Sequence, residues 1–491
     1  MNDDQEISTL LLNYQNGNKR EIYKKLNKIL KRREGDFKLR YNVAVIEQEL
    51  NLNKEARSNY KLIIDSQKNL KAMVNLYSLD IKEQKYEDAL KLINKILEIK
   101  QDLNLVIKDK AFVYLKMFRI KDSINICNTL LVINKRDTNV LNILGLCFLY
   151  ENKYTEATKI FKEILVYDNK NIAALNSLGR LNHEIRNSKD AEKFFLEALE
   201  INPNSYEVLN NIAGFYREEG KYKKGISFYL RALKLYPNNP FILNNLSKSY
   251  FDINDLSLAK KYSLAAFQIN KIDGNIQKIL SFIYLREQNY IEAWKYFDGR
   301  LKINDFVKKN ESIIKIQDKL LTSNNIDKNK KILILREQGV GDEILYATMY
   351  KSALKDLPYV QIECDKRLLN LFKNSFRKYS NRFVESGKIS KNDKNLKAID
   401  NVLYAGSLGK YYRKKIFDFD KLPYLLADKN KIAKQQLYFN QFNNKKNIGI
   451  SWRSFKNRYS NEKSLKLDDM MNVFNLNNSN FLNLQYGDVQ G

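Results

Sequence analysis

A glycine turn with a carboxylate follows a short apolar run at the start of the C-terminal third of the chain. Lys331-Ile-Leu-Ile-Leu335 leads directly into Arg336-Glu-Gln-Gly-Val-Gly-Asp342, and an amphipathic stretch comes next. Glycines at a strand-to-helix turn let the backbone approach a phosphate closely. A carboxylate such as Asp342 can serve there as a general base, or it can simply cap the helix. The turn therefore predicts phosphate binding or proton transfer.

The same glycines match part of a dinucleotide-binding fingerprint. Gly339 and Gly341 occupy its first two glycine positions, and Glu363 lies at the distance expected for a ribose contact. The third glycine position holds Ile344, where the helix must pass close to the strand. The partial match makes a nicotinamide-type site the weaker alternative.

A second candidate set consists of asparagines spaced 34 residues apart, namely Asn142, Asn176, Asn210 and Asn244. Each side-chain amide offers a donor and an acceptor, so a row of them can bind the backbone of an extended peptide. Asparagine is common throughout this chain, so chance placement is the alternative. The row predicts a protein or peptide ligand.

The 34-residue spacing is that of a repeat. Small residues recur at Ala157, Ala191, Gly225, Ala259 and Ala293, and another small residue precedes each by twelve positions, at Gly145, Gly179, Ala213, Ser247 and Ser281. Most units carry a large apolar residue four positions later, at Phe161, Phe195, Tyr229 and Phe297. This pattern resembles the tetratricopeptide repeat, in which two antiparallel helices touch at small residues. Residues 3–307 are predicted to form an α-solenoid of about nine such units.

In such a solenoid the first helix of each pair lines the concave surface, and we place the four asparagines there. Their arrangement resembles the asparagine-lined solenoid of protein O-linked N-acetylglucosamine transferase. His183, the chain's one histidine, lies on the same surface, where we expect an ordinary contact.

Composition narrows the class of protein. The chain has 491 residues with 44% hydrophobic and 29% charged, so general disorder is unexpected. Three separated cysteines and one histidine predict neither a disulfide framework nor a metal site. No apolar run could span a bilayer, and the N-terminus is acidic, so we expect a cytoplasmic protein without a membrane span.

The formal charge of +28 comes from 85 Lys and Arg against 57 Asp and Glu. Such an excess could attract nucleic acid or a membrane surface. The lysines are instead scattered over helices and loops without a basic stripe, which favours a lysine-rich composition. We therefore predict no nucleic-acid partner.

After a polar, lysine-rich connector (308–330) the pattern changes to strands alternating with helices, which is typical of a parallel sheet. A first Rossmann-like α/β domain is predicted over 331–443. A further strand, helix and strand over 447–491 predict the start of a second, incomplete Rossmann-like domain.

Residues 331–488 resemble the glycosyltransferase part of bacterial proteins that fuse tetratricopeptide repeats to a heptosyltransferase-like or O-GlcNAc-transferase-like domain. The resemblance lies in Glu337-Gln-Gly-Val-Gly-Asp-Glu-Ile344, Glu363-Cys-Asp365 with Arg367, Gly406-Ser-Leu408, Gly449-Ile-Ser-Trp-Arg453, Lys463-Ser464 and Leu484-Gln-Tyr-Gly-Asp488. It implies two facing Rossmann-like domains that bind a nucleotide-sugar donor between them, without a metal. The expected activity is hexosyl or heptosyl transfer.

The resemblance also assigns roles to residues. Asp342 matches the catalytic aspartate that acts as base for the acceptor hydroxyl, and Lys463 matches a basic residue that contacts donor phosphate. The remaining donor or phosphate contacts are Gly339, Gly341, Ser451 and Arg453. No other cofactor is expected.

The family's second domain extends beyond the Leu484-Gln-Tyr-Gly strand and carries an Asp-Thr/Ser-x-x-His-type segment, which this sequence lacks. Either the sequence is part of a longer protein, or the transferase region is incomplete. Two functions follow. One is transfer of a sugar to an acceptor presented by the solenoid; the other is a non-catalytic scaffold that binds proteins through its repeats.

Overall fold

A computed structural model of the chain describes residues 3–14, 17–303, 316–321, 323, 325–337, 339–419, 423–440, 445–451, 465, 468–476 and 478–484. The chain divides into two compact units, Met1–Asn254 and Asp255–Gly491. The boundary falls in the turn between two helices of the repeat region.

The described part of the first unit is helical throughout, as the repeat predicts. Its helices are α1 Asp3–Leu12, α2 Lys19–Arg32, α3 Phe37–Glu49, α4 Asn53–Ser66, α5 Leu70–Lys82, α6 Tyr86–Ile99, α7 Asn104–Lys116, α8 Ile120–Ile133, α9 Thr138–Tyr150, α10 Tyr154–Tyr167, α11 Ile172–Glu184, α12 Ser188–Ile201, α13 Tyr206–Glu218, α14 Tyr222–Leu235 and α15 Pro240–Asp252. Odd-numbered helices are the first members of the pairs. Most of them begin at an Asn or Asp whose side chain accepts a backbone N–H, as Asn171 does from Ala174 at 3.0 Å.

Small and aromatic residues meet inside each pair as the repeat pattern predicts. A Cβ built on Gly145 would lie 2.5 Å from a ring carbon of Phe161, and one on Gly179 would lie 2.6 Å from Phe195. Both rings are buried. The aromatic ring of the second helix therefore fills the space that glycine leaves in the first.

The turns inside the pairs share a second feature that recurs every 33 or 34 residues. From α3 onward, the second residue after the end of each first helix has a positive φ. These residues are Asn51, Gln84, Phe118, Asn152, Arg186, Gly220, Asn254 and Gln288. The left-handed conformation ends the helix and lets the next helix begin. Only one of these positions holds glycine, so the feature leaves little signal in the sequence.

The second unit begins with three more helices, α16 Leu256–Ile269, α17 Gly274–Arg286 and α18 Tyr290–Phe297, followed by a 3-10 turn at Asp298–Lys302. Counted along the chain with α1–α15, these make nine consecutive helical pairs among the described residues, and the number of repeat units stays a prediction.

A parallel sheet follows the helices. Its strands are β1 Ile332–Leu335, β2 Val360–Cys364, β3 Phe383–Glu385 and β4 Asn401–Tyr404, arranged in the order β3-β2-β1-β4. Helices α19 Val340–Ala347, α20 Tyr350–Asp356, α21 Lys366–Ser375, α22 Asp393–Lys397 and α23 Gly409–Tyr412 lie between or after them. Crossovers through helices make every pairing parallel.

Both faces of this sheet are covered, which is why β1 is apolar at every position. Ile332 and Ile334 contribute to a core with Tyr350 and Phe372. Leu333 and Leu335 contribute to a second core on the other face. Alternate residues of a strand point to opposite faces, so an uninterrupted apolar run is what a doubly covered strand requires.

The segment predicted as a polar connector (308–330) takes part in the second core. Ile316 is fully buried there, and Leu320 forms an isolated parallel β-bridge with Val402 of β4. Lys319 donates to the carbonyl of Leu396 at 3.0 Å, at the end of α22. The described residues of this segment are therefore part of the folded unit, because a few apolar side chains among many lysines are enough to anchor it.

A second, two-stranded parallel sheet lies further along the chain. It pairs β5 Lys446–Ile450 with β6 Ser479–Asn483, and helices α24 Lys429–Asn440 and α25 Met471–Phe474 precede the two strands. The predicted strands over 447–491 are thus present. None of the described helices has the length and apolarity needed to cross a membrane.

Candidate peptide-binding face and sheet edge

The four predicted asparagines lie at one position of four successive first helices, α9, α11, α13 and α15. These first helices contact one another directly along the unit. Asn142, Asn176 and Asn210 are half-buried, whereas Asn244 is 4% exposed. We call the surface formed by the first three the asparagine face.

The carbonyl oxygens on this face are already engaged by the next repeat. Asn211 Nδ2 donates to Asn176 Oδ1 at 2.9 Å, and Asn245 Nδ2 donates to Asn210 Oδ1 at 3.0 Å. Ser177 donates in the same way to Asn142 Oδ1 at 3.1 Å. The prediction that each amide offers both a donor and an acceptor is therefore corrected, since one acceptor position of each is taken.

The amide N–H groups of the same three asparagines have no hydrogen-bond partner within the part of the chain that the structure describes. Half-buried donors without partners are costly unless water or a ligand satisfies them. Asn244 differs, because it is buried and its Oδ1 has no partner among the described residues. The asparagine face is thus a row of three outward donors.

Further bonds between first helices hold the row in register. His183 Nε2 lies 3.6 Å from Glu218 Oε2, and its ring meets that of Phe215 edge to face at 5.3 Å. Arg217 Nε lies 2.6 Å from Asp252 Oδ2. His183 thus makes the structural contact that was expected of it.

Similar hydrogen bonds between first helices occur nearer the N-terminus, where the sequence pattern predicted no binding site. Asn75 Nδ2 donates to the hydroxyl of Tyr41 at 3.0 Å, and the hydroxyl of Tyr77 donates to Asp109 at 2.7 Å. Burial raises the pKa of the Asp109 carboxyl. A polar residue at the same repeat position was the available signal, but its identity changes from unit to unit.

The glycine turn of the sheet unit begins α19. Gly339 is the N-terminal capping position, and its N–H donates to Asp342 Oδ2 at 3.3 Å. A Cβ built on the exposed Gly341 would meet nothing within 4 Å, so packing does not require a glycine there. Asp342 therefore acts as a helix cap, and its role as a base stays a prediction.

A buried ion pair occupies the carboxyl ends of β1 and β4. Arg300, 4% exposed, donates from Nε and Nη2 to both carboxylate oxygens of Glu337, each at 2.8 Å. Its Nη2 also donates to Ser407 Oγ at 2.9 Å, and its Nη1 donates to the carbonyl of Phe297 at 3.0 Å. Desolvation by burial opposes the charge of Arg300, but Glu337 reverses that effect and the guanidinium pKa is raised.

The strand order places the topological switch of this sheet between β1 and β4, where ligands of open α/β sheets usually bind. Here Arg300, which follows the last helical pair, fills that position. Gly406 makes this possible, because a Cβ there would lie 2.6 Å from Glu337 Oε1. Trp294 similarly lies over Gly409, where a Cβ would come within 2.2 Å of the indole.

The family resemblance includes Glu337 and Gly406-Ser-Leu408 among its motifs. In the structure Glu337 and Ser407 contact the 3-10 turn after α18. The signal that could have found Arg300 was weak, because it lies 37 residues before its partner in a different kind of element.

Glu363 is not available for a ribose contact. It is 1% exposed and accepts from the backbone N–H of Gly387, Ile389 and Ser390 at 2.7 to 3.0 Å. The hydroxyl of Ser390 donates to it as well, at 2.7 Å. The carboxylate thus fixes the loop after β3, and the dinucleotide alternative loses its acidic residue.

A second charged group lies at the ends of β1 and β2. Arg336 Nε donates to the buried Glu343 at 2.9 Å, and Arg336 Nη2 lies 3.2 Å from Asp365. Arg367 donates to both oxygens of Asp365. Burial raises the pKa of Glu343, whereas the bonds from Arg367 hold the pKa of Asp365 far below its usual value.

Of the remaining predicted donor contacts, Ser451 is exposed just after β5. Arg453 and Lys463 lie outside the described residues. No group of three or more metal-ligating side chains occurs in the described ranges.

Comparisons with known proteins bear on the helical part. Tetratricopeptide-repeat family models match residues 172–205 and 194–226. Together with the helical pairs, these matches establish that the chain contains tetratricopeptide repeats. No curated protein matches the chain.

Solved structures with similar folds include a tetratricopeptide repeat protein from Parabacteroides merdae, 16% identical, which covers 50% of this chain and 98% of its own at a TM-score of 0.40. PilF of Pseudomonas aeruginosa is 21% identical. The match covers 38% of this chain and 88% of the PilF chain, with a TM-score of 0.32. YrrB, described as a TPR protein with an unusual peptide-binding site, is 18% identical. The match covers 38% of this chain and 95% of the YrrB chain, with a TM-score of 0.29. At these scores none of the three supports an argument about function.

Proposed function

We propose that the chain is a protein-interaction scaffold that binds an extended peptide segment along the asparagine face. The observation that carries this proposal is the row of three half-buried amide donors on α9, α11 and α13. Their carbonyl oxygens are held by the next repeat, so the donors point in a fixed direction. The tetratricopeptide repeats support the proposal, because stacked repeats create extended binding surfaces.

The spacing suits a peptide backbone. Packed helices lie about 8–10 Å apart, and an extended chain advances about 3.3 Å per residue. Successive asparagines would therefore meet peptide carbonyl groups that are about three residues apart. Main-chain recognition of this kind gives affinity without strict sequence preference.

The test uses the full chain and a random library of peptides about twelve residues long, enough to pass the three asparagines. Asn176→Asp with Asn210→Asp keeps the oxygen that accepts from Asn211 or Asn245 and removes both outward donors. We expect the doubly substituted chain to bind the selected peptides at least about tenfold more weakly, which corresponds to about 1.4 kcal/mol.

The matched control is Asn125→Asp with Asn128→Asp, which adds the same charge on exposed positions of α8. This control should bind like the unsubstituted chain. Equal losses in both variants would show a charge effect, and no captured peptide at all would refute the proposal.

Glycosyl transfer, expected from the resemblance, stays a prediction with the sheet region as its location. The order β3-β2-β1-β4 is compatible with a Rossmann-like domain. Its test is release of nucleoside diphosphate from a nucleotide sugar, compared with Asp342→Asn, which keeps an oxygen for the Gly339 N–H. Release that depends on Asp342 would favour the enzyme over the scaffold.

A further inference from the structure

One aromatic position of the repeat carries a hydroxyl that the fold does not use. The second helices α10, α12 and α14 hold Phe161, Phe195 and Tyr229 at equivalent positions 34 residues apart. Tyr229 is 2% exposed, like the two phenylalanines. Its hydroxyl has no hydrogen-bond partner within the described part of the chain. The hydroxyl of this otherwise buried side chain is therefore free to bond to water or to a ligand.

The hydroxyl of Tyr229 reaches towards the face formed by the first helices. A Cβ built on Gly214 of α13 would have one neighbour within 4 Å, the Tyr229 hydroxyl oxygen at 3.5 Å. Gly214 is half-buried. The missing side chain therefore leaves open space directly above the hydroxyl, on the helix that also carries Asn210.

The neighbouring first helix carries a cation at the equivalent repeat position. Arg180 of α11 occupies the same repeat position as Gly214, 34 residues earlier. The register of α11 against α13 is fixed by the Asn176–Asn211 bond one turn before and by the His183–Phe215 contact one turn after. Arg180 is half-buried and has no ion-pair or hydrogen-bond partner among the described residues.

The charged residues that act on the Tyr229 hydroxyl are Arg217, Glu218 and Asp252. Arg217 is bound to Asp252, and Glu218 faces His183. Burial raises the pKa of Tyr229, so its phenol keeps the proton and can donate. Tyr229, Arg180 and the amide of Asn210 are thus all able to donate, and Arg180 supplies a positive charge that no described residue pairs. We call Tyr229, Gly214 and Arg180 the Tyr229 recess.

We propose that the Tyr229 recess takes the carboxylate of an aspartate or glutamate side chain in the bound peptide, with Tyr229 and Arg180 donating to its oxygens. Charge-assisted hydrogen bonds to a carboxylate are the strong ones, and both donors lie where water is partly excluded. This inference rests on the proposed function and adds a preference at one position of the peptide. The amides of the asparagine face then bind its backbone.

The test again uses the full chain and the peptide library of the previous section. Peptides selected by the unsubstituted chain should carry Asp or Glu at one fixed position. Replacing that residue by Asn or Gln in a synthetic peptide should weaken binding about tenfold or more, since hydrogen bonds to charged groups are worth more than neutral ones.

Three variants assign the preference to the recess. Tyr229→Phe restores the side chain that the two preceding repeats carry, Arg180→Gln removes the charge, and Gly214→Ala covers the hydroxyl with a methyl group at an ordinary contact distance. Each should reduce the acidic-over-amide preference to about threefold or less. Binding of the amide peptide should fall less than binding of the acidic peptide in each, because hydrogen bonds to a neutral oxygen are weaker.

Failure of this inference is distinguishable from failure of the proposed function. If peptides bind through Asn176 and Asn210 but show no acidic position, or keep it in Tyr229→Phe and Gly214→Ala, the recess has no such role and the scaffold proposal stands. If no peptide binds, both are overturned.

Discussion

Gly179 of α11 and Phe195 of α12 share one space, since a Cβ on Gly179 would lie 2.6 Å from a carbon of the ring. Phe195 is 1% exposed, and the ring is enclosed by the neighbouring helices. Room for a methyl group could come only from displacing a buried aromatic side chain. The close approach of the two helices therefore depends on the absence of a single carbon atom.

We expect Gly179→Ala to lower the free energy of unfolding by about 1–2 kcal/mol, because overpacking of a core outweighs the helix propensity gained. Gly214→Ala is the matched control, as its new methyl group would meet a single atom at 3.5 Å. That control should gain up to about 1 kcal/mol from helix propensity. Urea unfolding of the two variants measures the difference. Equal gains in both would show that Gly179 and Phe195 do not compete for space.

A second prediction concerns the turn after α13. Gly220 has φ of +73°, and a Cβ there would meet nothing within 4 Å. Gly220→Ala should therefore lose about 1 kcal/mol of stability through backbone conformation alone. Gly35→Ala, also without contacts but without a positive φ, should change stability by less than about 0.5 kcal/mol. A thermal shift of the same size in both would rule out the left-handed conformation as the cause.

The repeat could be predicted from sequence because packing constrains one residue type at a fixed spacing. Gly145, Gly179 and the rings opposite them must be small and large, respectively, for two helices to touch. The left-handed turns were not predicted, since Asn, Gln, Phe and Arg all occur there. Only Gly220 marked such a turn in the sequence.

The positions of the asparagines could be predicted from the sequence. Which of their amide atoms lack a hydrogen-bond partner could not. The sequence shows Asn211 directly after Asn210, yet nothing in it says that Asn211 donates to Asn176 of the preceding repeat.

The ion pair at the sheet edge could not be predicted from the sequence either. Glu337 belonged to a recognisable motif, whereas its partner Arg300 comes from the end of the helical region, and local patterns carry no information on such a distant pair.

That distant pair yields a third prediction. Glu337→Gln removes the buried carboxylate that binds the guanidinium of Arg300 and leaves it the partly exposed Asp298. Breaking a buried pair typically costs about 3–5 kcal/mol, and the pair with Asp298 should reduce that cost. We expect faster amide exchange in β1 and β4 of this variant, measured by hydrogen–deuterium exchange and mass spectrometry. The control is Asp356→Asn, which breaks an exposed pair with Lys328 worth about 0–1 kcal/mol. Unchanged exchange in Glu337→Gln would show that the pair does not hold the sheet edge.

The last prediction concerns pH and the first unit. Glu47 of α3 is 2% exposed, and it accepts from Asn59 Nδ2 at 2.8 Å and from the hydroxyl of Tyr23 at 3.2 Å. Burial raises the pKa of Glu47 in spite of these two bonds, and Glu55 raises it further. The folded state therefore binds this proton more tightly than the unfolded chain does.

Stability contributed by such a group is present at low pH and falls as the pH rises from the unfolded pKa through the raised folded pKa. Glu47→Gln removes this dependence, because a neutral amide replaces the carboxyl group at every pH. The variant should accordingly gain more stability relative to the parent at pH 7.5 than at pH 5, as measured by urea unfolding at both values. Glu98→Gln, at an exposed position near the end of α6, serves as control and should show no such difference. A larger gain at pH 5 would mean that Glu47 is stabilised as the carboxylate, contrary to the effect expected from its burial.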